Sequence, residues 1–197
     1  SGILDKIEQI KTRYAKEFCA VFTTHLPFLR FINKTFDQFD HYQARIFFAK
    51  ARDYSFILPN KSQNVRLGGF LHPALKEGVS CDISLEKKVM IITGVNAGGK
   101  TMLLKSLLSA VFMAKYLLPM HCNPSHTQIG SFKSIEAIID DPQNVKNDIS
   151  TFAGRMLEFS KMFNKTKAIA GVDEIELGTD SDEAASLFKV ILSRLIK

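Results

Sequence analysis

One eight-residue stretch restricts the possible folds of this chain more than any other feature. Gly94-Val95-Asn96-Ala97-Gly98-Gly99-Lys100-Thr101 fits the pattern G-x-x-x-x-G-K-[ST]. It stands between a short apolar run, Val89-Met90-Ile91-Ile92, which reads as a strand buried on both faces, and a helical pattern over Thr101–Leu118. Glycines in such a turn let successive backbone N–H groups point inward, and the helix that follows adds the positive end of its dipole, so the loop suits phosphate oxygens. Lys100 is placed to meet the β- and γ-phosphates, and the Thr101 hydroxyl to ligate Mg²⁺. The competing reading is an ordinary glycine turn capping a helix, and the strand and helix on either side weigh against it.

A second apolar run, Ala168–Val172, reads as another buried strand, and it ends in two carboxylates, Asp173-Glu174. This is the form of a Walker B element. Asp173 would hold the magnesium shell, and Glu174 would polarise the water that attacks the γ-phosphate. Adjacent acids more often simply open a surface loop, but their pairing with the P-loop favours the functional reading. Further helices are expected at Phe152–Asn164 and Ser181–Ile196. Alternating strands and helices argue for an α/β sheet with the ligand at the carboxyl ends of the strands. Binding of ATP and its hydrolysis with Mg²⁺ is the expected activity.

The first sixty residues have a different texture. Apolar residues recur at Ile3, Ile7, Ile10, Tyr14, Phe18, Val21 and Phe22, and again at Ile32, Phe36, Phe39, Ile46, Phe47 and Ala51. That spacing predicts amphipathic helices, broken at Pro27 and ending near Asp53, followed by loops at Pro59, Asn60, Gly68 and Gly69. Helix-spaced aromatics are expected to face a core rather than a nucleotide, and Met102, Met113, Met156 and Met162 read the same way. The net charge of +6 lies wholly in residues 1–76, which hold 12 Lys/Arg against 6 Asp/Glu. Such an excess suits a surface that meets nucleic-acid phosphates, or simply a solvated helical face. Cys19, Cys81 and Cys122 lack the spacing of a zinc site or disulfide framework. No apolar stretch is long enough to span a bilayer and no signal-like segment opens the chain, so a cytoplasmic location without membrane contact is expected.

Three pieces together resemble the ATPase domain of the MutS family of DNA repair and recombination proteins. They are the loop Gly94–Thr101, the Ser150-Thr151-Phe152 signature between the two Walker motifs, and Asp173-Glu174 followed by Leu177-Gly178-Thr179-Asp180. Gly69-Phe70-Leu71-His72-Pro73 and Asp82-Ile83-Ser84-Leu85 extend the likeness upstream, so that it covers residues from about Asn64 to Lys197. Asp140-Asp141-Pro142-Gln143 and the Gly-Thr-Asp ending look closer to the MutS-two branch, which acts on branched DNA and restrains recombination. Val95 stands where the family usually has proline, Ile175-Glu176 departs from the family just after Glu174, and Val79 alone lies near the place of the family's base contact.

The resemblance implies an α/β P-loop NTPase fold of the ABC type, with a sheet flanked by helices over residues 61–197. A helical N-terminal segment, residues 1–60, would be the end of a lever and core region. The nucleotide would be held by Gly94, Val95, Asn96, Ala97, Gly98, Gly99, Lys100, Thr101 and Met102, with Asn96 close to the γ-phosphate. Lys100 and Glu174 would be catalytic, and Thr101 and Asp173 would hold the metal. Ser150 would be offered to the ATP of a second subunit, at the start of a helix whose N–H groups are free, or would only cap that helix. The implied assembly is a homodimer with composite ATP sites, its closure regulating DNA bound by parts of a longer protein. The family's downstream strand and γ-phosphate-sensing histidine are expected to lie beyond Lys197, since neither His121 nor His126 falls at that place in the order. Other readings are a chromosome-maintenance ATPase of the ABC type, a nucleotide-gated dimerisation module without efficient hydrolysis, and a P-loop kinase.

Overall fold

A computed structural model of the chain describes residues 2–75, 77–95, 99–139, 151–173 and 181–196. The first apolar period forms α1 (Gly2–Thr23) and the second forms α2 (Leu26–Arg52). Pro27 does not end a helix but sits second in α2, where its missing N–H costs no hydrogen bond. Asp53 then turns to φ 53°, and the Tyr54 N–H donates to Ala49 O at 2.9 Å, closing α2 in a left-handed cap.

The chain divides into two compact units, Ser1–Phe47 and Phe48–Lys197. In the first, the expected packing of the aromatic stripe is absent: α1 buries no residue, and Phe18, Phe28 and Phe36 are exposed. The described part of that unit is helical apart from the turn at Thr24 and His25, and it contains no sheet that could receive an apolar face.

The second unit adds β1 (Val65–Phe70), β2 (Cys81–Leu85), α3 (Lys100–Lys115), a 3-10 turn at Pro124–His126 and β3 (Gln128–Ile129). Then come β4 (Ser134–Ile138), α4 (Thr151–Phe163), β5 (Ala168–Val172) and α5 (Ser181–Ile196). β1 lies between β2 and β3, antiparallel to both, while β4 and β5 pair in parallel from Ser134↔Ala168 to Ile138↔Val172. α3 packs on β1, β4 and β5 and so joins the two sheets. Its buried face, Leu107, Leu108, Ala110, Val111 and Ala114, meets Val65, Leu67, Phe70, Ile129 and Ile169 in one apolar core.

Three local expectations change. Gly68 and Gly69 lie inside β1 rather than in a loop, at a register shift between Leu67 and Phe70 where the Gly69 N–H donates to Asp82 Oδ1 at 2.7 Å. Val89–Ile92 is not in a strand, and Ile91 is 58% exposed. A run buried on both faces needs strands on each side to complete its ladder, and no described strand pairs with this one. α3 stops at Lys115 instead of reaching Leu118, because Leu117 turns to φ 52°. The N–H of Leu118 then donates to Met113 O at 2.8 Å and that of Leu117 to Ala114 O at 3.2 Å, the two bonds of a Schellman cap.

His72 carries the chain from β1 onto α3. Its Nδ1 accepts from the Ala74 N–H at 3.2 Å, so Nε2 bears the proton and donates to Ser109 Oγ at 3.0 Å. Burial, and then the charge of Lys105, hold the imidazole pKa below its ordinary 6.5. The folded chain therefore prefers neutral His72, and this contribution to stability is complete above pH 6.5 and is lost as pH falls below it. Urea unfolding at pH 7.5 and 5.5 should show a smaller loss of stability on acidification for His72→Gln than for the wild type. Leu117 bears a left-handed conformation that costs a branched residue about 1–2 kcal/mol. Leu117→Gly should thus raise the unfolding free energy by about 1 kcal/mol, against the larger unfolded-state entropy of glycine, as read from the denaturation midpoint.

Candidate nucleotide-binding site

The loop that precedes α3 is described at both of its ends. Gly94 and Val95 enter it, Gly99 leaves it, and Asn96, Ala97 and Gly98 lie outside the described residues. Gly99 adopts φ 78°, ψ 15°, a conformation that a side chain would strain, and its carbonyl accepts the first helical bond from the Leu103 N–H at 2.8 Å. No side chain caps the first turn of α3. The Lys100 Nζ donates to Gly94 O at 2.8 Å. An ammonium held on a carbonyl at the mouth of such a loop can transfer to a more strongly charged acceptor, a phosphate oxygen.

Across from this turn, β5 delivers Asp173. The Asp173 N–H donates to Ile138 O at 2.9 Å, which extends the β4–β5 ladder by one bond, and Thr101 Oγ1 donates to Asp173 Oδ2 at 2.5 Å. The sequence separates these two side chains widely and the fold brings them into contact. A hydroxyl and a carboxylate are hard oxygen donors of the kind Mg²⁺ takes, with water and substrate oxygens completing its shell. Among the described residues no group of three His, Cys, Asp or Glu side chains could hold a metal by itself. Met102 is half-buried in the first turn of α3, and Val95 is exposed. Glu174 and Ser150 lie outside the described residues. Val79 is exposed, 91% of its surface being open to solvent.

A hollow of about 580 Å³ is lined by the 85–92 segment and β5, with Lys100 and Asp173 also on its walls. Its walls include Ile92, Leu104, Gly171 and Leu192. Two contributors escaped the sequence reading. β4, which supplies Ile138 O, is too short to show a decisive period, although Ile135, Ala137 and Ile138 hint at it. Lys115 donates from Nζ to Phe132 O at 3.0 Å and to Lys133 O, a contact with no local sequence signal.

No family model matches the chain. It is 55% identical over 174 residues to Endonuclease MutS2 of Helicobacter pylori strain 26695, a match covering 88% of this chain and 23% of that protein. The corresponding protein of strain J99 is 54% identical over the same length, with the same coverage. Endonuclease MutS2 of Streptococcus uberis is 35% identical over 140 residues, 69% of this chain and 18% of that protein. The chain thus spans about a quarter or less of the length of these relatives. Over the residues that these matches cover, the chain belongs to the MutS2 branch of the MutS family.

Proposed function

We propose that this chain is the Mg²⁺-dependent, ATP-binding and ATP-hydrolysing domain of a MutS2 protein, built on a P-loop fold of the ABC type. The observation that carries the reading is the contact of Thr101 with Asp173 beside Lys100, a hydroxyl, a carboxylate and an ammonium gathered at the glycine-capped start of one helix. Bound Mg²⁺ would supply positive charge at the β- and γ-phosphate oxygens.

The chain's own residues would do the rest. The N–H groups from Gly94 to Met102 would cradle the phosphates, and Lys100 would exchange Gly94 O for a β/γ oxygen. Thr101 and Asp173 would orient the cation, and Glu174 would take the proton of the attacking water. Asn96 would lie beside the γ-phosphate. Ser150 would reach the nucleotide of a second copy, giving a homodimer whose two composite sites close with ATP and reset on hydrolysis.

The relatives are named endonucleases, which implies a nucleic-acid substrate, so control of DNA bound elsewhere in the whole protein, in repair or recombination, is the proposed role. No described helix is long and apolar enough to cross a membrane. Calorimetry with ATP and ADP, with and without Mg²⁺, tests the reading. Lys100→Ala should lower ATP affinity by about 10- to 100-fold, the worth of a hydrogen bond from a charged donor. Glu174→Gln should keep binding and lose about 10²- to 10⁴-fold in single-turnover hydrolysis, the usual contribution of a general base. Undiminished ATP binding by Lys100→Ala would remove the phosphate site.

A further inference from the structure

The helix that carries Thr101 is tied to the parallel sheet at both of its ends. At the start, Thr101 Oγ1 donates to Asp173 Oδ2. At the other end, Lys115 Nζ leaves its own helix and donates to the carbonyls of Phe132 and Lys133. These two residues lead into β4, and the Lys133 N–H donates to Lys167 O at 2.8 Å, so one knot holds the beginnings of β4 and β5 together. From there the parallel register runs to Ile138↔Val172, and the bond from the Asp173 N–H to Ile138 O carries it to the carboxylate. Helix, Asp173, sheet and Lys115 form a closed frame.

The dimensions of the frame agree. Helical rise from Thr101 to Lys115 is about 21 Å, strand rise from Ala168 to Asp173 is about 17 Å, and the lysine side chain reaches across the remainder. Between the two ends the contact is apolar. Gly171 lets α3 lie close, since a Cβ there would come within 2.8 Å of Leu104 Cδ1 and Leu108 Cδ1. Apolar packing is non-directional and holds the helix onto the strand without fixing its place along the axis. Polar contacts bear on that place: those of Thr101 and Lys115 at the two ends, and that of His72 with Ser109 between them.

We propose that Lys115 is a positioning residue: by anchoring the far end of α3 on Phe132 and Lys133, it sets the axial register of the helix and hence the Thr101–Asp173 separation. The metal half of this statement rests on the function proposed above, and the register half does not. A lysine that only faces the negative end of its own helix dipole would have no influence on Asp173, because that effect fades within the last turn.

The test compares the wild-type chain with Lys115→Met and Lys115→Arg, the guanidinium of the latter being able to reach both carbonyls. In the nucleotide-free chain, the amide resonances of Thr101 and Asp173 should move in Lys115→Met and return toward wild-type positions in Lys115→Arg. Titration of Mg²⁺ with ATP present should show about tenfold weaker cation binding for Lys115→Met, in the range seen when a residue behind a metal ligand is changed. ATP affinity in EDTA should stay unchanged. Resonance changes confined to the surroundings of Phe132 and Lys133 would overturn the proposal, as would equal losses of metal-free and metal-bound affinity. A wild-type chain that binds no nucleotide would instead sink the proposed function, while the nucleotide-free spectra still decide the role of Lys115. Should Lys115→Met fail to fold, Lys115→Gln, whose shorter donor reaches one carbonyl at most, is measured in the same way.

Discussion

The hydrogen bond from Thr101 to Asp173 joins two pieces of chain that have little else in common: the first turn of a buried helix and the end of a two-stranded parallel sheet. Its geometry is possible only because α3 lies flat on β5 and both elements end at the same level. Close approach over Gly171 supplies the first condition, and the β4–β5 register, continued by the Asp173 N–H to Ile138 O, supplies the second. An isolated two-stranded parallel sheet would hold neither strand firmly. Here α3 packs on β4, β5 and β1 at once, so the helix that follows the glycine-rich turn also unites the two sheets into one core.

This arrangement explains why so many polar contacts of the unit converge on α3. His72 reaches it from the end of β1, Lys115 leaves it for the entrance of β4, and Thr101 meets the exit of β5. Each contact ties a different strand to the helix, and each lies at or near an edge of the apolar face. Burial of Leu107, Ala110 and Val111 holds the helix down, and the polar contacts give its position along and around its axis. Lys100 Nζ donates to a backbone carbonyl, and Asp173 accepts from a hydroxyl.

Much of the architecture was legible in the residue order. α1, α2, α4, α5 and β5 fall where the period or the apolar runs placed them, since long amphipathic patterns and a five-residue apolar run ending in acids leave few alternatives. The end of α3 was not legible: helices that stop in a left-handed cap most often place glycine there, whereas here Leu117 takes the left-handed turn. The strand expected at Val89–Ile92 did not form, because hydrophobicity signals a demand for burial without naming the neighbour that meets it. Gly68 and Gly69 looked like a loop and became a bulge in β1, since the Asp82 side chain that holds the bulge comes from the next strand.

The sequence by itself determined the helix behind the glycine-rich turn and the apolar strand that ends at Asp173, because each is a local pattern carried by adjacent residues. It also carried the family, through three short motifs in fixed order. The sequence reading had set Thr101 and Asp173 about one cation, and the tertiary structure gave them a direct hydrogen bond; it alone decided that β4 pairs with β5, that His72 docks on Ser109, and that Lys115 reaches Phe132 and Lys133. The reason is physical: contacts between distant residues arise from the burial of faces and the closing of ladders, and these are properties of the packed chain that no stretch of it contains.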